Sequence, residues 1–255
     1  MTLGLERLIA TFLAVAVRIG MLMIFAPFFG SQAVPARVKA GLTLVLTVLV
    51  LPISAAPPAA PDGLSWALSL FGEVIAGLAL ALTTSLVFEG AQFAGQVLGI
   101  QLGYSLVNVL DPQTAVDTPI LSTFHQLIVL MIFLQLNVHH WLLRALVKSF
   151  ELVPVGSVRV SFGAMQQLVR AAGSLFVIGI QIAAPILTAT LLIDVALGLI
   201  GRVAPQVPVL FIGISVKSVL GLAILAGSVA LWPKLFERYF LNAMHASEGL
   251  LHLIR

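Results

Sequence analysis

The sequence predicts an all-α, polytopic membrane-type protein, and three observations carry that prediction. Of its 255 residues, 60% are hydrophobic and only 9% are charged, against roughly 25% charged in an average soluble domain. The apolar residues fall into six long segments, Leu8–Gly30, Val38–Ala56, Trp66–Phe88, Pro119–Leu143, Ala171–Ile200 and Val207–Trp232, each close to or above the ~20 residues that cross a bilayer as a helix. The short alternating runs of a transmembrane β-barrel are missing. So little polar surface cannot wrap a water-soluble globule, so the segments face lipid or other protein.

The first segment contains Ala14-Val15-Ala16, which resembles a signal-peptide cleavage site. However, Glu6 precedes Arg7, and hydrophobicity resumes after Arg18, so it is read as a retained helix. Ser31–Arg37 is a short link with Pro35, followed by Lys39. The run AAPPAAPDG, Ala55–Gly63, is a proline-rich turn that cannot be helical. Glu89–Thr118 is the longest insertion without lysine or arginine, whereas Arg144–Arg170 is polar and basic. The tail from Lys234 to Arg255 sets Leu235, Tyr239, Leu241, Leu250 and Leu253 among Arg238, Asn242, His245 and Glu248, the pattern of an amphipathic surface helix. With six spans, Arg7, Arg144, Lys148, Arg159, Arg170, Lys234, Arg238 and Arg255 share one side, and Arg37, Lys39 and Arg202 the other, which puts both termini in the cytoplasm. The chain reads as one subunit over residues 1–255.

Net charge is only +3 and the basic residues are scattered, so no nucleic-acid footprint exists. The absence of cysteine removes disulfides, thiolate metal sites and cysteine nucleophiles. Neither H-E-x-x-H, G-x-S-x-G nor a Walker loop occurs, and no cofactor is expected. His139-His140 sits beside Trp141 and reads as an interfacial belt more than a metal site. His125, next to Gln126, suits a helix–helix hydrogen bond. Four charges lie inside apolar segments: Arg18, Glu73, Asp194 and Lys217. Each needs a partner or a wet cavity. Pairing within an assembly, or against a neighbouring subunit, outweighs a proton or ion relay, because only two acids are present and no histidine is in register.

Residues 89–119 ask for more. Gly95, Gly99 and Gly103 recur every fourth residue and share one helical face with Gln92 and Gln96, while Phe93, Val97, Ile100 and Tyr104 point the other way. A smooth face lets another backbone approach closely, which offsets the ~1 kcal/mol that each glycine costs a helix. The run Leu106-Val107-Asn108-Val109-Leu110 then carries apolar side chains into a turn at Asp111-Pro112, and Asp117-Thr118-Pro119 suits the N-terminus of the next helix. Such a loop is either a re-entrant or interfacial packing loop, or it fills a lumen shared with other chains.

VPARVKAGL (Val34–Leu42), GQVLGIQLGYS (Gly95–Ser105), DPQTAVDTP (Asp111–Pro119) and DVALGLIGRVAPQVPVLFIG (Asp194–Gly213) together resemble the FliR family of flagellar biosynthetic proteins, in order and over nearly the whole chain. Virulence-type secretion homologues form the sister family. The resemblance implies a non-enzymatic subunit of the type III export gate in the bacterial inner membrane, at the flagellar basal body. There it would be a single copy beside several FliP and FliQ subunits, in contact with FlhB, with unfolded flagellar subunits passing through. It also implies kinked helical hairpins in a coiled stack, much of it above the plane of the bilayer. Carried over, the pore plug is Leu106, Val107, Asn108, Val109, Leu110, Asp111 and Pro112. Relatives place phenylalanines at this tip, and this chain has smaller aliphatic residues. The rival reading, a small secondary transporter, predicts inverted repeats and a mid-depth polar site, and the sequence contains neither. An intramembrane enzyme needs a nucleophile–base or metal set that is also lacking.

Overall fold

Apolar residues at helical spacing build every element of the computed structural model, which describes residues 2–31, 34–54, 63–104, 120–159, 161–206 and 208–254. Helix α1 is Thr2–Phe25. Its buried stripe of Ala14, Val15, Arg18, Ile19, Leu22 and Met23 advances by three and four residues, as one face of an α-helix does. Pro35 opens α2, Ala36–Val50, where its missing N–H costs nothing and its carbonyl accepts from Val38 and Lys39. A 3₁₀ turn, Leu51–Ile53, ends it at Pro52.

Helix α3 runs unbroken from Gly63 to Gln101, so the linker expected from Glu89 is helical for its first thirteen residues. Ala91, Ala94 and Leu98 are buried in that stretch, and their packing overrides the weak propensity of Gly90, Gly95 and Gly99. Helices α4, Ile120–Gln135, and α5, Val138–Leu152, divide what reads as one apolar span. The break is a 68° bend at Asn137, whose φ of 55° is left-handed and which asparagine tolerates better than most residues. Helix α6 spans Phe162–Val203 with Pro185 in its interior, α7 spans Val209–Val229, and the tail forms α8, Trp232–Leu253. Among the described residues there is no strand. Among the described residues, five helices are long and apolar enough to cross a membrane, or six if the bent α4–α5 pair counts as one span. The proline-rich stretch 55–62 and the loop 105–119 lie outside the described residues.

The chain forms two compact units. The first comprises Met1–Val87, Phe133–Ala172 and Phe240–Arg255. Its core joins the α1 stripe to Ala76, Leu80 and Ala81 of α3, Leu142, Leu146 and Phe150 of α5, and Leu251 of α8. The second comprises Phe88–Ile132 and Gly173–Tyr239. It buries Ile178, Ile182, Ile186 and Thr190 of α6 at a strict four-residue interval, together with Leu121, His125, Val129 and Ile132 of α4. Helix α7 is the barest helix of this unit, burying Gly213, Gly221 and Leu225 and little else.

Glycine sets the α1–α3 distance in the first unit. A Cβ at Gly77 would strike the Arg18 carbonyl oxygen and lie 2.8 Å from Met21 Cβ. Gly77→Val is therefore expected to destabilise the purified protein by about 1–3 kcal/mol through overpacking. Gly173→Ala, where nothing lies within 4 Å, is expected to stabilise it by ~0.5–1 kcal/mol. Denaturation in mixed micelles of rising SDS fraction measures both.

Candidate functional site

All four charges expected inside apolar segments are paired within the chain, but in two different ways. Arg18 and Glu73, one on α1 and the other on α3, are fully buried at the heart of the first unit. Arg18 Nε donates to Glu73 Oε2 at 2.6 Å. Nη1 donates to the Ser149 carbonyl at 3.0 Å and its hydroxyl at 3.2 Å, and Nη2 donates to the Val153 carbonyl at 3.0 Å. The second carboxylate oxygen, Glu73 Oε1, accepts from the Gly156 N–H at 2.9 Å, in a turn where Gly156 has a φ of 78° that favours glycine. The guanidinium carbon lies 4.3 Å from the centre of the Phe150 ring, a cation–π contact. Gly72 lets that turn approach, since a Cβ there would sit 2.8 Å from Val158 Cβ. Arginine suits the position because its planar fork serves a carboxylate and two carbonyls at once.

The other pair, Asp194 on α6 and Lys217 on α7, is in the second unit and is partly open, with side chains 42% and 18% exposed. Lys217 Nζ pairs with Asp194 Oδ1. Asp194 Oδ2 accepts from Gln101 Nε2 at 3.3 Å, and the same amide nitrogen donates to Thr190 Oγ1 at 3.2 Å. Tyr104 and Ser218 share a hydrogen bond of 2.7 Å between their hydroxyls. Gln101, Thr190 and Ser218 were not singled out by sequence reasoning, and Tyr104 was placed only on the bulky face of its helix. Their signal is faint: polar residues one helical turn from Asp194, or beside Lys217, in otherwise apolar runs.

The three glycines of residues 95–103 have separate surroundings. A Cβ at Gly95 would sit 2.5 Å from Ser122 Cα and 2.7 Å from the Leu121 carbonyl oxygen, so α3 and the start of α4 meet backbone to backbone. Ser122 Oγ donates to the Gln92 carbonyl at 3.1 Å across the same contact. Gly99 is buried. Gly103 is not on the helical stripe: α3 ends at Gln101, and Gly103 has a left-handed φ of 85°. Only glycine takes that conformation without a Cβ penalty, so Gly103 serves as a helix terminator. The plug residues Leu106, Val107, Asn108, Val109, Leu110, Asp111 and Pro112 lie outside the described residues. The chain enters their loop just after Tyr104 and leaves it at Ile120, and both residues line an apolar cavity of about 360 Å³ with Leu121, Phe124, Leu222 and Leu225.

The histidines depart from expectation in part. His125 does not bond across helices: Nδ1 lies 2.7 Å from the Leu121 carbonyl of its own helix, Nε2 has no partner, and the ring packs 5.0 Å from Trp232. The rings of His139 and His140 lie 4.1 Å apart, centre to centre, tilted by 43°. Among the described residues, no three His, Asp or Glu side chains gather as a metal would need. Tyr239, on the amphipathic α8, donates to Gln181 Oε1 at 2.5 Å, and burial raises its phenol above the ordinary value against a smaller opposing effect of Arg238. The Arg18–Glu73 and Asp194–Lys217 pairs thus hold helices together.

Comparison with known proteins adds identity to this geometry. Residues 9–243 match the family described as bacterial export proteins, family 1. The chain is similar to the flagellar biosynthetic protein FliR of Escherichia coli (strain K12), 31% identical over 224 residues that cover 88% of this chain and 85% of the relative. It is similar to FliR of Bacillus subtilis (strain 168), 31% identical with 82% of each chain covered. FliR of Aquifex aeolicus (strain VF5) is 25% identical, with 92% of this chain and 91% of the relative covered.

The Arg18–Glu73 network makes a sharp prediction. Glu73→Ala leaves a buried guanidinium without its counter-ion and is expected to cost about 3–5 kcal/mol, whereas Arg18→Met with Glu73→Met, which leaves no buried charge, is expected to recover much of that loss. Unfolding free energies of the single and double variants in detergent check the pair.

Proposed function

This chain belongs to family 1 of the bacterial export proteins, and from that premise we propose that it is a non-enzymatic core subunit of the flagellar type III protein export gate. In this reading it is a single copy in a hetero-oligomer with FliP and FliQ, in contact with FlhB, in the bacterial inner membrane. It helps to form the channel through which unfolded flagellar subunits leave the cell, and the loop Leu106–Pro112 plugs that channel.

One observation supports the assembly most directly: the length over which α6 exposes apolar side chains. Phe162 is 85% exposed at one end and Val203 is 86% exposed at the other. Met165, Val169, Phe176, Ile180, Leu191, Leu192, Val195 and Leu199 are exposed between them. At 1.5 Å per residue these ends are about 60 Å apart along the helix, while the hydrocarbon core is only ~30 Å thick. Fitting a straight helix of that length within the core needs a tilt of roughly 60°, and membrane helices average near 20°. Lipid alone therefore covers about half of this face, and the rest calls for protein. Sibling subunits of an export gate supply that cover, and a lone transporter does not.

Apolar residues at a constriction close a pore by excluding water and ions. The aliphatic tip Leu106, Val107, Val109 and Leu110 has that chemistry, with less bulk than an aromatic tip.

Two measurements test this reading. In native mass spectrometry of detergent-purified protein co-expressed with FliP and FliQ, a stable complex with one copy of this chain is expected. A monomer or homodimer indifferent to those partners overturns the assembly. In the reconstituted complex, Leu106→Gly with Leu110→Gly is expected to raise leak of a small dye from vesicles. An unchanged leak from an intact complex overturns the plug.

A further inference from the structure

We propose that Asp194, Lys217 and Gln101, with Thr190, Tyr104 and Ser218, form a polar latch that ties the C-terminal end of α3, and so the base of the loop it feeds, to the α6–α7 hairpin. The inference rests on the plug reading above and assigns that plug its positioning residues.

Three of the four residues 101–104, at and just past the end of α3, are tied down by separate chemistry. Gln101 Nε2 has two N–H groups, and both are used, one on Thr190 Oγ1 and the other on Asp194 Oδ2, a single turn apart on α6. Leu102 packs over Gly221 of α7 so closely that a Cβ at 221 would strike its Cδ atoms. Gly103 turns the chain out of the helix. Tyr104 reaches the Ser218 hydroxyl at 2.7 Å, one residue from Lys217. Gln101 thus contacts α6, Leu102 and Tyr104 contact α7, and the Asp194–Lys217 pair joins those two helices to each other. Moving either helix away from the other breaks a contact to residues 101–104.

The setting makes these bonds count. Leu191, Leu192, Val195, Val216, Val219 and Leu220 surround the pair in sequence and are apolar. Gln101 Nε2 bonds both Thr190 and Asp194, and Asp194 also pairs with Lys217, so the ties share partners and loosening one loosens the next. It is also half open, unlike the sealed Arg18–Glu73 pair, because 42% of the Asp194 side chain is exposed. Water or a competing cation can reach that carboxylate, so the ties can be broken without unpacking a core. A staple needs burial, whereas a latch needs access. Its function in the gate is to hold the plug at its resting place until the hairpin shifts.

The test uses the complete complex with FliP and FliQ, reconstituted in vesicles loaded with a small fluorescent dye. Asp194→Asn, Gln101→Leu and Tyr104→Phe are compared with wild type and with the loop variant Leu106→Gly, Leu110→Gly. Each latch variant is expected to raise dye leak several-fold while native mass spectrometry shows an unchanged complex. The exchange Asp194→Lys with Lys217→Asp is expected to restore tightness, since the Gln101 amide can flip and offer its oxygen to the new lysine. A purely structural pair would lower the melting temperature and leave the leak alone. If the loop variant leaks and the latch variants do not, the latch is overturned and the plug stands. If the loop variant does not leak either, plug and latch fall together. Should Asp194→Asn fail to assemble, Gln101→Leu and Tyr104→Phe keep the ion pair and decide the question by the same readout.

Discussion

A guanidinium buried among apolar helices dictates how four segments of the first unit meet. Arg18 cannot shed its charge, and removing it from water costs several kcal/mol. Every partner it has is therefore obligatory. Those partners come from position 73 on α3, from positions 149 and 153 at the end of α5, and through Glu73 from the turn at position 156. An apolar side chain at position 18 would accept many packings of these helices. The arginine accepts few, because a shift of α5 by a single turn would carry away the Ser149 hydroxyl that Nη1 uses and the Gly156 N–H that Glu73 uses. The network is thus better understood as setting register than as adding stability, since buried ion pairs often break even against well-packed hydrophobic residues. Gly72 and Gly77 flank Glu73 in sequence and serve the same end, one admitting the 154–158 turn and the other the α1 backbone.

The second unit lacks such a centre, and its elements are held by repeated close approach. Gly95 meets the α4 backbone, Gly90 and Gly179 admit Ile178 and Phe93, and Gly221 admits Leu102. Small residues serve helix contacts in apolar surroundings, where dispersion between closely approaching backbones replaces a hydrophobic driving force. They leave the outward faces rich in leucine, valine and phenylalanine. A unit built this way is complete only when something covers those faces, and a bilayer ~30 Å thick is shorter than α6.

Helical class, segment count and the four costly charges were legible in the sequence, because periodicity and hydropathy report which face of a helix is buried. Partners were not legible. Nothing about position 18 points to position 73 rather than 194, since pairing depends on helix order in space and on glycines that set spacing far from either charge. Three local readings shifted for similar reasons. Residues 89–101 resemble a linker by composition but continue α3, because Ala91, Ala94 and Leu98 find a core. Residues 119–143 read as one span, but Asn137 adopts a left-handed conformation and splits it. Gly103 keeps the four-residue spacing of Gly95 and Gly99, yet it lies two residues beyond the helix, where the interval no longer defines a face.

The two ion pairs show how one composition rule yields two physical outcomes. Both place a base and an acid in apolar helices, and hydropathy alone cannot tell them apart. Burial can. At Arg18–Glu73 no water competes, each donor named above has a protein acceptor, and opening the pair exposes two bare charges to a dry core. At Asp194–Lys217 the carboxylate is partly exposed, so solvent screens the pair and weakens it relative to the sealed one. A protein that must hold its own shape and yet yield along one path needs both kinds. Here the sealed pair fixes the α1–α3–α5 packing, and the open pair meets the end of α3 through Gln101.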